Sequence, residues 1–211
     1  MNIYLPMKDD LLDRHDGTIW TGGGLKEPKI TNFNGVQCAY FDGGSRLKLQ
    51  DNNLLKSLTK WTIQAWIYPT RVGTDHGGNS HVLSNAIIGV TISDVYWRLA
   101  SATVGDLCGV DVPLPFSIFN AWHHIKFTSD GNNIYLHLDG KGIKNIPRGS
   151  IAFNQNGFTV GGENGSGTAD ANFYGYMSQF EFSDEYNKRD LPLSEDKFIY
   201  INKNNEAWAM I

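Results

Sequence analysis

The chain of 211 residues lacks most of the features that would assign it to a specialised class of protein. Its two cysteines, Cys38 and Cys108, are too few for a disulfide framework or a cysteine-based metal cluster, and we expect both to be buried free thiols. No apolar run approaches the roughly 18 residues of a membrane-spanning helix, which predicts no membrane insertion. The net charge of −4 offers no general basic surface, so no nucleic-acid partner is expected.

A secretion signal is also missing from the N-terminus. Residues 1–10, MNIYLPMKDD, lack the basic region and the following apolar core of a signal peptide. We therefore expect the protein to be made in the cytoplasm.

The clearest pattern in the chain is the aromatic and β-branched segment from Trp61 to Pro69. Its side chains alternate, and one face of a strand would carry Trp61, Ile63, Ala65 and Ile67. The other face would carry Thr62, Gln64, Trp66 and Tyr68. Because both sets contain large side chains, we predict a strand inside a layered β structure and not at a sheet edge. Pro69 has no N–H to donate and is expected to end the ladder.

Short alternating segments, separated by glycine-rich turns, occupy most of the remaining chain. Further strands are predicted over residues 36–41, 47–49, 82–83, 86–92, 95–100, 122–128, 134–138, 158–160 and 173–182. The turn at residues 130–133 joins two of them into a hairpin. Residues 105–115 are predicted to be irregular, and residues 198–201 and 207–210 to form a last small hairpin. The pattern is typical of an all-β fold, a two-sheet antiparallel sandwich or jelly roll.

Five segments occur in a recognisable order along this pattern. They are YFDGGS (40–45), WTIQAWIYP (61–69), NAWHHI (120–125), NIYLHLDGK (133–141) and FYGYMSQF (173–180). Together they resemble laminin-G-like jelly rolls of the concanavalin A-like lectin/glucanase superfamily. The resemblance covers roughly residues 33 to 183 and implies two facing antiparallel sheets. We expect a jelly-roll domain over residues 1–183 and a C-terminal extension over residues 184–211. The resemblance leaves function open, because this fold carries lectins, glycosidases, adhesion modules and structural domains.

Catalysis is tested by the positions of the carboxylates. Glycosidases of this fold need two acids at alternate positions on one strand face, in a Glu-x-Asp-x-Glu type of run. The chain has no such run, and Gln64 occupies a position where the central strand would need an acid. Glu181, Asp184 and Glu185 have a different spacing, and we interpret them as a solvated charge cluster at a strand end. We therefore predict that the protein is not an enzyme.

Metal binding is considered because many laminin-G-like domains hold calcium. The candidate ligands are the acidic residues near the N-terminus, Asp9, Asp10, Asp13 and Asp16, since hard cations prefer carboxylate oxygens. The alternative is an ordinary solvated loop and no cofactor. Ser178 stands where the family often has an acid, which weakens the calcium hypothesis. His123 and His124 are adjacent and point to opposite faces of a strand, so these two and His137 are expected to pack and form hydrogen bonds.

Carbohydrate binding is the leading chemical hypothesis. Sugars are held by an aromatic face together with polar groups around it. The polar loops 71–81 and 161–172 offer His76, Asn79, Glu163, Asn164, Asp170 and Asn172. The candidate aromatic platforms are Trp66, Tyr68, Trp97 and Tyr135. The alternative is that these aromatic side chains fill the sandwich and that the loops are only turns.

Two settings follow for a cytoplasmically made adhesion domain. We expect a lectin-like module on a bacteriophage virion, which would bind a glycan or host surface and have protein partners in a larger assembly. The alternative is a purely structural virion component, such as a capsid decoration, fibre or tail protein, without glycan binding. The extension after residue 183, with Trp208 and Met210, would then dock on a neighbouring subunit or fold back on its own sandwich.

Overall fold

The structure of the protein is a computed structural model. It describes residues 2–11, 14, 17, 20–22, 26–49, 59–71, 80–85, 88–92, 96–100, 110–113, 116–147, 158–162, 172–193, 199–201 and 207–209. The strands are β1 (Asn2–Leu5), β2 (Lys29–Phe33), β3 (Val36–Asp42), β4 (Leu47–Leu49), β5 (Lys60–Arg71), β6 (Ser80–Asn85), β7 (Ile88–Ile92), β8 (Tyr96–Ala100), β9 (Val110–Pro113), β10 (His123–Asp130), β11 (Asn133–Leu138), β12 (Lys141–Pro147), β13 (Phe158–Val160), β14 (Tyr174–Ser183), β15 (Ile199–Ile201) and β16 (Ala207–Ala209). The predicted all-β class is confirmed.

Two antiparallel sheets form the sandwich. The eight-stranded sheet has the order β12-β11-β10-β5-β14-β3-β2, and β1 pairs with β14. The six-stranded sheet has the order β4-β13-β6-β7-β8-β9. One buried apolar cluster contains side chains from both sheets, including Phe127 and Val82. The predicted final hairpin is present as the pair of β15 and β16. No described residue belongs to a helix that could cross a membrane.

The central strand β5 has both of its faces covered, as predicted. Its core-facing side chains are almost fully buried, with Trp61 and Ile67 both 0% exposed. Its outward side chains Thr62 and Gln64 are also 0% exposed. The expected end at Pro69 is wrong, because β5 continues to Arg71. Pro69 lies opposite Gly175, next to a register shift at which β5 has one residue, Thr70, more than β14, and a bulge is a position where a strand tolerates proline.

A bulge in β14 changes the neighbour of that strand. Between its pairings with Trp66 and Gln64, β14 contains one residue more than β5. The extra residue is accommodated at Gln179, whose φ is +54°. Before the bulge β14 pairs with β3, and after it β14 pairs with β1.

Four strands were not predicted, namely β1, β2, β9 and β12. The prediction of an irregular segment over residues 105–115 is wrong at β9, which pairs with β8. These strands are short or lie at a sheet edge. In β12 only Ile146 is buried. Alternation is weak in such strands because few of their side chains reach a core.

The first cysteine prediction is confirmed within the described residues. Cys38 in β3 is a free, buried thiol. Burial raises the pKa of the Cys38 thiol to about 12, so the thiol stays protonated and unreactive at neutral pH. Cys108 lies outside the described residues.

Gly175 supplies a test of the β5–β14 pairing. Its φ is +145°, and a Cβ placed there would overlap the backbone carbonyl of Tyr68. We expect Gly175→Ala to lower the free energy of unfolding by about 3 kcal/mol or more, because backbone strain and a backbone clash add together. Urea denaturation followed by tryptophan fluorescence measures this change.

Gly35 is the matched control for that substitution. Its φ is +79°, but a Cβ there would meet nothing within 4 Å. Gly35→Ala should therefore cost only the left-handed backbone penalty of about 1 kcal/mol. Equal losses for the two variants would show that the close approach of β5 and β14 at Gly175 is not tight.

Candidate ligand-binding face

The outer face of the eight-stranded sheet, which points away from the sandwich core, carries the candidate site. Cross-strand pairing arranges its side chains in rows that run across the strands. Lys126, Gln64 and Glu181 form one such row across β10, β5 and β14. This polar part of the face is overlaid by the chain segment that follows β14.

Residues 184–193 form this covering segment, which we name the strap. Thr62 donates from Oγ1 to the backbone oxygen of Glu185 at 2.6 Å. Four residues further along β5, the indole N–H of Trp66 donates to the backbone oxygen of Leu191 at 2.8 Å. The strap therefore runs in the same direction as β5 and is held through its main-chain atoms. This part of the C-terminal extension lies on its own sheet.

Gln64 is the central contact of the strap. Its Nε2 donates to Glu181 Oε2 at 2.6 Å and to the backbone oxygen of Arg189 at 3.0 Å. Its Oε1 accepts from the backbone N–H of Leu191 at 3.3 Å and lies 3.1 Å from His124 Nε2. A glutamine has two amide protons and two acceptor lone pairs, so all of its hydrogen-bonding capacity is used.

Two ion pairs fix the strap on either side of Gln64. Lys126 contacts Asp190, with Nζ and Oδ1 2.5 Å apart, and Glu181 contacts Lys188 at 2.6 Å. Lys126 and Glu181 are each only 6% exposed. The interpretation of Glu181 as part of a solvated cluster is therefore wrong. The bulge at Gln179 shifts the register so that Glu181 faces Gln64 beneath the strap.

His123 and His124 form hydrogen bonds within the domain, as expected. His123 Nδ1 lies 2.8 Å from Asp139 Oδ2, and the backbone N–H of His124 donates to Asp139 Oδ1 at 2.9 Å. The His124 ring lies on the outer face between Gln64 and Trp66. Burial lowers the pKa of His124 below its ordinary value, and burial also lowers the pKa of His137. Both rings therefore favour the neutral form in the folded state.

An aromatic row lies beyond the last described contact between the strap and β5. It consists of Trp122, Tyr68, Tyr176, Tyr40 and Phe33. Phe33 stacks on Tyr176 with ring centroids 3.9 Å apart, and Tyr40 lies 5.0 Å from Tyr176. Tyr68 is 5.9 Å from Tyr176 and 5.7 Å from Trp122. Tyr40 is 37% exposed, so the row presents ring surface to solvent.

Charged groups border the aromatic row on the side away from the strap. The guanidinium of Arg71 lies 3.8 Å from the centre of the Tyr174 ring. Lys29 stands opposite Tyr40 on the neighbouring strand β2. Arginine stacked on a ring keeps its N–H donors free for hydrogen bonds in its own plane. The row therefore combines ring surface with hydrogen-bond donors at its border.

The predicted aromatic platforms lie at different places. Tyr68 belongs to the aromatic row, whereas Trp66 lies beneath the strap, and neither fills the space between the sheets. Tyr135 donates to Asp130 Oδ2 at 2.8 Å and borders a shallow groove of about 330 Å³ near His137. Trp97 pairs in β8, but its side chain lies outside the described residues. The contributions of Tyr40, Tyr176 and Phe33 were missed, because they come from three strands that the sequence does not register against one another.

The polar loop residues are mostly outside the described part of the chain. His76, Asn79, Glu163, Asn164 and Asp170 belong to this group. Asn172 is described and is 1% exposed, packed against Gly162. Its amide is therefore buried and is not presented on the surface.

The predicted calcium ligands are described only in part. Asp10 forms an ion pair with Arg14 at 3.0 Å, while Asp13 and Asp16 lie outside the described residues. Across the described part of the chain, Asp9 included, three or more His, Cys, Asp or Glu side chains are not gathered into a group that could hold a metal ion. Ser178 is buried and donates to the backbone oxygen of Gln37 at 3.0 Å.

Comparison of the sequence with protein families identifies the class of domain. A laminin G-type family model, described as the concanavalin A-like lectin/glucanases superfamily, matches residues 41–187. The chain belongs to this family. No curated protein sequence matches the chain significantly.

Known structures share the fold at low sequence identity. The binding domain of Paraclostridial Mosquitocidal Protein 1 matches with a TM-score of 0.67 and 17% identity over 88% of this chain. The match covers 49% of that chain, so this protein spans about half of its length. Domain 4 of an extracellular GH43 arabinanase from Geobacillus stearothermophilus, solved with arabinotriose, matches with a TM-score of 0.66 and 14% identity over 87% of this chain and 92% of that chain. Domains LG4-5 of the mouse laminin alpha1 chain match with a TM-score of 0.54 and 17% identity, over 75% of this chain and 43% of that chain.

The lowered pKa values of His124 and His137 predict that the stability of the fold decreases in mild acid. The pKa of His124 is lower in the folded state than its unfolded value of about 6.5, so the unfolded chain binds protons first as pH falls. The free energy of unfolding should be highest above about pH 6.5 and should decrease towards pH 5.5. Urea denaturation of the protein and of His124→Gln measures this slope.

The His124→Gln variant should lose part of the pH dependence, since glutamine does not titrate. His137→Gln should remove a separate part, because the pKa of His137 is lowered in the same direction. If the free energy of unfolding depends on pH with the same slope in both variants as in the unmodified protein, the pH dependence does not come from His124 and His137.

Proposed function

We propose that the protein is a non-catalytic, lectin-like module that binds carbohydrate on the aromatic row. The observation that carries the proposal is the set of packed rings, among them Tyr40, Tyr68 and Tyr176, on a sheet face that is partly open to solvent. Aromatic faces stack on the C–H surface of sugar rings, and nearby donors bind the hydroxyl groups. Arg71 and Lys29 supply such donors at the border.

The structural neighbours support a lectin-like role at the level of the fold. The arabinanase domain was solved with an arabino-oligosaccharide. Botulinum neurotoxin type C, which interacts with two ganglioside molecules, matches with a TM-score of 0.62 and 14% identity over 88% of this chain and 48% of that chain. Because these identities are low, the comparisons support a class of ligand and do not select a particular glycan.

The absence of catalysis is part of the proposal. Retaining and inverting glycosidases need a pair of carboxyl groups about 5–10 Å apart that can reach the substrate. The outward positions of β5 hold Thr62, Gln64 and Trp66, none of which is acidic. Glu181, on the neighbouring strand, is buried and paired with Lys188. We therefore expect no sugar release from polysaccharides by the purified protein.

Tyr40 provides the direct test of the aromatic row. We expect the protein to bind ligands on a glycan array, and Tyr40→Ala to weaken that binding at least tenfold, which corresponds to about 1.4 kcal/mol. Tyr40→Phe should keep most of the affinity because it keeps the ring. Titration calorimetry with the best array ligand measures these affinities.

Phe116 is the matched control for this test. It is a 50% exposed aromatic residue that packs near His123 and lies outside the aromatic row. Phe116→Ala should bind as the unmodified protein does. The proposal fails if no glycan binds, or if Tyr40→Ala and Phe116→Ala lose the same affinity.

The virion setting stays a prediction from the sequence. We propose that the module is displayed on a bacteriophage particle, where it would bind a host glycan; the alternative is a structural component that uses the jelly roll only as a scaffold. An antibody against the purified protein should label intact particles in electron micrographs. If the Tyr40→Ala variant replaces the protein and the labelled particles still adsorb to the host, the structural alternative is favoured.

A further inference from the structure

The strap covers the sheet face but buries little of its own surface. Five of the sheet side chains that it covers are buried, namely Thr62, Gln64, His124, Lys126 and Glu181, and Trp66 is partly buried. Every strap residue from 184 to 193 is exposed or only partly buried. The hold on the strap is mainly polar, through hydrogen bonds to its backbone and two ion pairs. Segments with little apolar burial open locally at a lower free energy than core strands do. The strap is therefore the part of this face that can leave it most easily.

The side chains beneath the strap form a recognisable set. Trp66 offers an indole ring, and Gln64, Glu181, Lys126 and His124 offer amide, carboxylate, ammonium and imidazole groups around it. These are the groups that bind the hydroxyls and ring faces of sugars. In the structure these side chains all form contacts with the strap or with one another.

This covered set is continuous with the aromatic row. Trp66 and Tyr68 are outward residues two positions apart on β5, which places them about 7 Å apart along the strand. On the next strand, Ser178 and Tyr176 stand opposite them in register. A linear ligand that runs along β5 from Tyr68 towards Gln64 would meet the strap at Leu191, whose backbone oxygen accepts a hydrogen bond from the Trp66 indole.

We propose that the strap is a displaceable cover of a longer oligosaccharide-binding cleft, of which the aromatic row is the uncovered end. This proposal rests on the proposed function. The ligands of the cleft are linear oligosaccharides long enough to extend from Tyr68 across Trp66 to Gln64. Short glycans bind the open end alone. Longer glycans displace the strap, and the freed side chains of the covered set exchange strap contacts for sugar hydroxyls.

Two strap variants test the proposal. Asp190→Asn combined with Lys188→Met removes both ion pairs of the strap with Lys126 and Glu181. Glu185→Gln is the matched control, because it neutralises a strap carboxylate that forms no ion pair among the described residues. The full-length proteins are compared by hydrogen exchange without ligand and by binding to an array of linear oligosaccharides of about two to six units.

Hydrogen exchange reports the cover itself. The backbone amides of Asn187 and Leu191 are bonded to Thr128 Oγ1 and Gln64 Oε1. They should exchange at least about tenfold faster than core amides of β10, and a further tenfold faster in the double variant but not in Glu185→Gln. Strap amides as protected as β10 would overturn the proposal, since the strap would then open only with the whole domain.

Oligosaccharide binding reports the covered cleft. The double variant should bind the longer chains at least about tenfold more tightly than the unmodified protein, with no change for disaccharides. If the strap of the double variant exchanges faster but long oligosaccharides do not bind more tightly, the proposal of a covered cleft is wrong. The proposed binding site on the aromatic row would not be affected by that result. Binding by the double variant alone, independent of Tyr40, would instead support the cleft and refute the open-end site of the proposed function.

Discussion

The fold depends on how the outward polar side chains of β5 are satisfied. Gln64 lies at the centre of the eight-stranded sheet with 0% exposure, and a buried amide without partners costs several kcal/mol. The core cannot satisfy it, because the core lies on the other side of the strand. The strap does so with backbone atoms from Arg189 and Leu191. The buried Gln64 amide needs hydrogen-bond partners, and the chain after β14 supplies them by crossing the sheet face and covering it.

A single residue connects this network to the N-terminus. Gln179 adopts a positive φ at the bulge, and its backbone N–H donates to the oxygen of Pro6. Its side chain donates to the oxygen of Pro192 and accepts from the Tyr4 hydroxyl. The first strand, the bulged strand and the end of the strap thus meet at one position. The bulge also turns Glu181 towards Gln64. The buried hydrogen bond between these two side chains offsets the backbone strain at Gln179.

Much of the sandwich could be predicted because its central strands alternate strongly. Trp61, Ile63 and their neighbours follow the period of two, and the hairpin at residues 130–133 has clear turn residues. Edge strands such as β12 were missed because they bury little. The site was harder to predict, since Tyr40, Tyr68 and Tyr176 become neighbours only through the register of three strands. The role of the strap was hidden because many of its hydrogen bonds use backbone atoms, which carry no signature in the sequence. Its two ion pairs join residues that only the folded sheet brings together.

The identity of residue 64 links the strap-covered face to the lack of an acidic side chain at this outward position of β5. Gln64 donates from the same Nε2 to Glu181 and to the backbone oxygen of Arg189. An ionised glutamate at position 64 could donate to neither, and it would place a second negative charge against the buried Glu181. The strap would lose its central contact, while the face would gain the carboxylate pair that glycoside hydrolysis needs. A neutral amide at position 64 is therefore compatible with the strap-covered face, whereas a glutamate there is not.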